Sequence, residues 1–97
     1  KKGYLYIIKT VGMGKIGVTN NPKSRLKKYV TENPFEIEVI SVDHVYHPYE
    51  LEEKLHKVCS HRRIRSEWFN LSKEELDIIR VEIIRNKTFD EQNEHKI

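Results

Sequence analysis

Two short runs rich in aromatic and β-branched residues, Tyr4 to Lys9 (YLYIIK) and Lys15 to Thr19 (KIGVT), are joined only by Thr10 to Gly14, a segment with two glycines. Such composition favours strands, and so short a glycine-bearing joint favours an antiparallel hairpin. The short turn sets a register: Lys9 opposite Gly14 brings Tyr6 opposite Gly17 and Ile8 opposite Lys15. Tyr6 and Lys15 are then diagonal neighbours on one face. Tyr4, Tyr6 and Ile8 share that face of the first strand, and Leu5 and Ile7 lie on the other.

Asn20-Asn21-Pro22 follows the hairpin as a helix start, with Asn21 as the cap and Pro22 at the first helical position. This helix is expected to run from Pro22 to Thr31 and to stop at Asn33-Pro34. Phe35 to Val45 (FEIEVISVDHV) begins with alternating apolar and polar residues and predicts a third strand, burying Phe35, Ile37 and Val39 on one face. His47-Pro48 opens a second helix extending to about His61, with Leu51, Leu55 and Val58 as its core stripe. Ser72-Lys73-Glu74-Glu75 is a capping box ahead of a third helix that buries Leu76, Ile79 and Ile83 and ends near Arg85. The expected order is β-β-α-β-α-α, an α+β fold with a small three-stranded antiparallel sheet flanked by helices. Residues 1–86 form the domain, and residues 87–97 read as a polar C-terminal tail.

Bulk properties exclude several classes. The 97 residues fit one domain, and 34% of them are charged. No apolar run approaches the ~18 residues a membrane helix needs, so no membrane partner is expected. Cys59 is the only cysteine, which rules out an intrachain disulfide and fits an intracellular setting, cytoplasm or nucleus, including those of an infected host. The net charge of +3 permits a nucleic-acid partner. Its distribution is more telling: Lys23, Arg25, Lys27 and Lys28 crowd one segment, and Arg62, Arg63 and Arg65 another. Taken alone, either cluster reads equally well as a solvated face.

The order of these motifs resembles the GIY-YIG nuclease superfamily, in particular a viral and phage branch. Tyr4-Leu5-Tyr6 corresponds to the first motif and Lys15-Ile16-Gly17 to the second. Arg25 and Tyr29 follow on the first helix, Leu51-Glu52-Glu53-Lys54-Leu55-His56 on the second, and Glu67-Trp68-Phe69 closes the set. The resemblance covers residues 3 to 72. Tyr4 departs from the glycine of the family pattern, Lys15 from its second tyrosine, and Tyr29 from the histidine of some members.

The resemblance implies a DNA endonuclease that hydrolyses phosphodiester bonds with activated water. Its catalytic set would be Tyr6, Lys15, Arg25, Tyr29, Glu52 and His56. Glu52 would hold Mg²⁺ or Mn²⁺ as a hard oxygen ligand. Arg25 would clamp phosphate through its planar fork, and Tyr6 would help to activate water. A phenol of pKa ~10 is a poor base at neutral pH. Beyond the family pattern, Lys15 either points to solvent or, together with the metal, lowers the pKa of Tyr6 and holds the phosphate, while Gly17 leaves room for the scissile group above the sheet. Lys23, Lys27, Lys28, Arg62 and Arg63 would contact DNA phosphates, and sequence specificity would come from a separate recognition domain or an oligomer partner. Asn70 is a weaker candidate for the same site. The rival reading is a non-catalytic DNA-binding module on the same fold. A zinc site at His56, Cys59 and His61 is disfavoured, because structural zinc wants four ligands and there is no second cysteine.

Overall fold

The computed structural model describes residues 1–88. The hairpin forms from β1 (Lys2–Thr10) and β2 (Met13–Thr19), in the register its short turn dictates. Tyr6 pairs with Gly17, Ile8 with Lys15 and Lys9 with Gly14. Helix α1 (Pro22–Glu32) starts as expected: the Asn21 side chain accepts from the Ser24 N–H at 3.1 Å, and Pro22 occupies the first turn. Strand β3 (Glu38–Tyr46) pairs antiparallel with β1 on the side away from β2. Helix α2 (Pro48–Val58) then crosses the sheet and is followed by a 3-10 turn at Ser60–Arg62.

The chain next makes two strands that the sequence reading did not anticipate, β4 (Arg63–Arg65) and β5 (Trp68–Phe69). The sheet is therefore five-stranded, in the order β3-β1-β2-β5-β4, and not three-stranded. Strands of two and three residues are too short to show a period of two. Ser66-Glu67, the turn between them, has neither glycine nor asparagine to announce a tight hairpin, although Ser66 adopts the left-handed conformation (φ 53°) that such turns use. Helix α3 (Lys73–Asn86) closes the fold and starts on the expected capping box, with Ser72 accepting from the Glu75 N–H and Glu75 accepting from Ser72 N–H at 2.9 Å.

Leu5, Ile7 and Ile16 on one face of the hairpin meet Leu51, Leu55, Phe69, Ile79 and Ile83 in the main core. The start of β3 departs from the expected pattern. Phe35 lies outside the strand and is 60% exposed, Val39 is 43% exposed, and Val45 is the fully buried residue of this strand. β3 reaches the buried core in its later part, where Val45 joins Ile79 and Ile83 of the third helix. Just past the end of α2, Cys59 fills the core position expected of Val58, which is partly exposed. Lys87 and Thr88, assigned to the tail by sequence, pack on β3: Lys87 bridges Val45, and the Thr88 N–H donates to the His44 carbonyl at 3.0 Å. The remainder of the expected tail lies outside the described residues. No helix among the described residues is long and apolar enough to cross a membrane.

Candidate active site

The sheet face opposite the main core carries Tyr6 and Lys15, and α1 lies over it. Tyr6 is 1% exposed, and its hydroxyl donates to the Tyr29 hydroxyl at 3.3 Å. The ring fits only because residue 17 is glycine: a Cβ there would overlap the Tyr6 hydroxyl and ring. This corrects one expectation. The space above Gly17 is filled by Tyr6 itself and is not left for a phosphate.

A second correction concerns which phenol Lys15 acts on. Burial is the main influence on the Tyr6 hydroxyl and, with Tyr29 beside it, pushes its pKa up, against a smaller opposing pull from Arg25. Lys15 acts on Tyr29, not on Tyr6. Burial alone would raise the Tyr29 pKa, but the Tyr6 hydrogen bond together with Lys15 and Arg25 outweighs it and lowers the value. The reason is geometric. The Lys15 ammonium lies 5.3 Å from the Tyr29 ring centre and 5.7 Å from that of Trp68. The partly exposed Tyr29 is thus the better candidate for a water-facing phenolate. Arg25, exposed on α1, is held beside both hydroxyls.

Lys15 also links these residues to α2. Its Nζ is 3.5 Å from a carboxylate oxygen of Glu67, at the tip of the β4–β5 turn. β5 places Glu67 there, because Trp68 pairs with Lys15 across the sheet. Glu67 in turn faces Glu52. Burial and the neighbouring Glu67 push the Glu52 carboxyl up to about 7, and Lys15 opposes that rise. His56, one turn after Glu52, places Nε2 3.0 Å from the Ile16 carbonyl. Arg25, Tyr6, Tyr29, Lys15, Glu67, Glu52 and His56 therefore form one connected series of side chains drawn from α1, β1, β2, α2 and the β4–β5 turn.

The fold brings together all six residues named as catalytic from sequence, and it adds Glu67. In the sequence that residue stands out only as part of the closing Glu-Trp-Phe motif. Its placement depends on β5 pairing with β2, which nothing local in the sequence signals. Beside Glu52 and His56 opens a cleft of about 490 Å³, lined also by Tyr49, Lys57, Ser60 and Arg63. Arg63 lies 5.1 Å from the Phe69 ring at its rim. Lys23, Lys27 and Lys28 are exposed along α1. Arg62 is engaged elsewhere, with Nε 3.5 Å from Glu75 at the start of α3.

Two weaker candidates lie apart. Asn70 lines a separate cavity of about 100 Å³ on the far side of β1 and β2. Cys59 is buried in the core, where burial above all raises its pKa, and His61 faces Glu75, so the two build no zinc site with His56.

A family model described as the T5orf172 domain matches residues 3–84. No curated protein and no solved structure matches the chain.

Proposed function

This chain belongs to the T5orf172 domain family, and on that premise we propose that it is a GIY-YIG-type DNA endonuclease domain that hydrolyses phosphodiester bonds with metal assistance. The family is phage-associated and often found in homing and nuclease-like proteins. The observation that carries the proposal is the unbroken series from Arg25 through the two tyrosines and Lys15 to Glu52. Phosphodiester hydrolysis needs a base for water, cations for the phosphate oxygens and an acid or metal for the leaving oxygen. This series supplies the base and the cations, and its Glu52 end would hold the metal.

In this mechanism Tyr29 takes the proton from the attacking water, and Lys15 and Arg25 keep its oxygen ionised. Tyr6, buried and protonated, donates to that oxygen and fixes its direction. The Arg25 guanidinium spans two phosphate oxygens, a task suited to its planar fork. Lys15 sits between the phenol and Glu67 and follows the developing negative charge. The donor set fits a divalent cation: carboxylates from Glu52 and Glu67 and a ring nitrogen of His56 have ligand atoms within 4.8 Å of one another. A Mg²⁺ or Mn²⁺ ion held by Glu52 would polarise the phosphate and stabilise the leaving oxygen.

A second reading, a DNA-binding module without catalysis, draws on α1. This helix exposes Lys23, Arg25, Lys27 and Lys28 and carries no acidic residue in its first turn. A plasmid-nicking assay with Mg²⁺ or Mn²⁺ separates the two. The wild-type chain nicks, Glu52→Ala does not, and Glu52→Ala binds DNA with unchanged or tighter affinity. A wild-type chain that binds in a salt-sensitive manner and never nicks favours the binding module. Glu52→Ala nicking at the wild-type rate removes Glu52 from the mechanism.

A further inference from the structure

The geometry points to a three-ligand centre for a divalent transition ion, formed by Glu52, Glu67 and Nδ1 of His56, that takes Mn²⁺ in preference to Mg²⁺. The inference deepens the nuclease reading and rests on it for the ion's role, though not for its binding.

Three observations carry it. The first is convergence. Glu52 and His56 are four residues apart on one face of α2, and Glu67 reaches them from the tip of the β4–β5 turn, so that ligand atoms of all three lie within 4.8 Å of one another. Donors bound at ~2.0–2.2 Å can be at most ~4.4 Å apart across an ion. Three donors around one ion sit closer together than that limit, so the side chains draw inward as the ion binds.

The second is the state of the imidazole. The Ile16 carbonyl, 3.0 Å from Nε2, can only accept, so Nε2 carries the proton. In the neutral ring Nδ1 then presents a lone pair. A histidine that ligates a metal characteristically donates its other N–H to a carbonyl or carboxylate, which fixes the ring and raises its basicity. The Phe69 ring, centred 5.1 Å from that of His56, holds the imidazole from the side.

The third is charge. Two carboxylates face one another, and the cation seen against them is the Lys15 ammonium, 3.5 Å from Glu67. One positive charge leaves the pair under-neutralised. A divalent ion balances the pair and frees Lys15 to turn toward Tyr29 and the phosphate. The mixed donor set selects the ion. Mg²⁺ dehydrates reluctantly and holds to oxygen donors, whereas Mn²⁺ shares its liking for carboxylates and, as the first-row ion of lowest affinity, still accepts an imidazole nitrogen beside them.

The test is calorimetric titration of the full chain with Mn²⁺ and with Mg²⁺, without DNA, together with pulsed EPR of the bound Mn²⁺. The expected result is one Mn²⁺ per chain, Mg²⁺ weaker by about tenfold or more, and a directly bound imidazole nitrogen in the EPR. Glu67→Gln and His56→Gln should each weaken Mn²⁺ by about tenfold or more, and Glu53→Gln, one residue from Glu52 but paired with Lys57 at 3.3 Å, should leave it unchanged. Should His56→Gln fail to fold, Glu67→Gln decides, since the Glu67 side chain is 41% exposed and lies in a turn. Equal affinity for the two ions, no nitrogen coupling, or wild-type Mn²⁺ affinity in Glu67→Gln overturns the inference. Mn²⁺ bound as expected with no DNA cleavage leaves the centre standing and removes the nuclease reading. Nicking by the wild type with unaltered Mn²⁺ binding in Glu67→Gln does the reverse.

Discussion

Gly17→Ala tests how the site is built, because the added methyl would land on the hydroxyl and ring of Tyr6. The backbone at Gly17 is not in the left-handed region, so the cost is steric alone. Overpacking a filled site costs about 1–3 kcal/mol. Replacing a strand glycine with alanine returns about 0.4–1 kcal/mol by restricting the unfolded chain. The net loss is then about 1–2 kcal/mol. At about 4–8 °C per kcal/mol for a domain of this size, Tm should fall by about 5–15 °C. Tyr6 has little free space around it, so the ring must tilt and break its bond to Tyr29, and nicking should fall by more than the loss of folded protein explains. The assay is thermal denaturation of four chains: wild type, Gly17→Ala, Tyr6→Leu and the double variant. Tyr6→Leu removes the colliding ring, so adding Gly17→Ala to it should cost nothing, a coupling of about 1 kcal/mol or more. A Gly17→Ala chain melting within about 2 °C of wild type, or the same Gly17→Ala penalty in both backgrounds, would refute the idea that Tyr6 occupies the space above Gly17.

Arg25→Lys keeps the charge and loses the fork, so turnover should drop sharply with little change in DNA affinity, because Lys23, Lys27 and Lys28 remain on the same helix. Equal losses in both would make Arg25 an ordinary phosphate anchor. Lys15→Met removes a hydrogen bond and a positive charge that favour the Tyr29 phenolate, so Tyr29 should ionise at higher pH. Ultraviolet difference titration against Lys15→Met/Tyr29→Phe checks this, and an unmoved transition leaves Lys15 without that role. The Ser72 hydroxyl and backbone N–H, with Arg62 and His61, hold the Glu75 carboxyl below the usual carboxylate range. Its stabilisation is therefore complete above the unfolded-state pKa of ~4.3 and is lost as pH falls through the lower native value. Urea midpoints from about pH 7 down to about pH 2 should show a shallower acid limb in Glu75→Gln; an identical limb would mean that this carboxylate does not govern acid unfolding.

The sequence by itself determined whatever depends on neighbours a few residues apart. The hairpin register followed from the length of the Thr10–Gly14 joint, because a tight turn leaves one way to pair Lys9 with Gly14. The caps at Asn21 and at Ser72 with Glu75 follow from side chains that reach backbone groups three residues on. Helical spacing placed Glu52 and His56 on one face of α2, and the order of the motifs brought Tyr6, Arg25 and Glu52 into one candidate set. The tertiary structure decided the rest, because the deciding contacts join segments far apart in the chain. β5 has two residues and no pattern of its own, yet by pairing with β2 it delivers Glu67 to Lys15 and Glu52. The choice between two phenols was equally hidden. Tyr6 and Tyr29 are the same residue type within the same motif set, and what distinguishes them is burial and the reach of Lys15 across the folded sheet. Desolvation and charge proximity are properties of position in space, and only the packed chain assigns them.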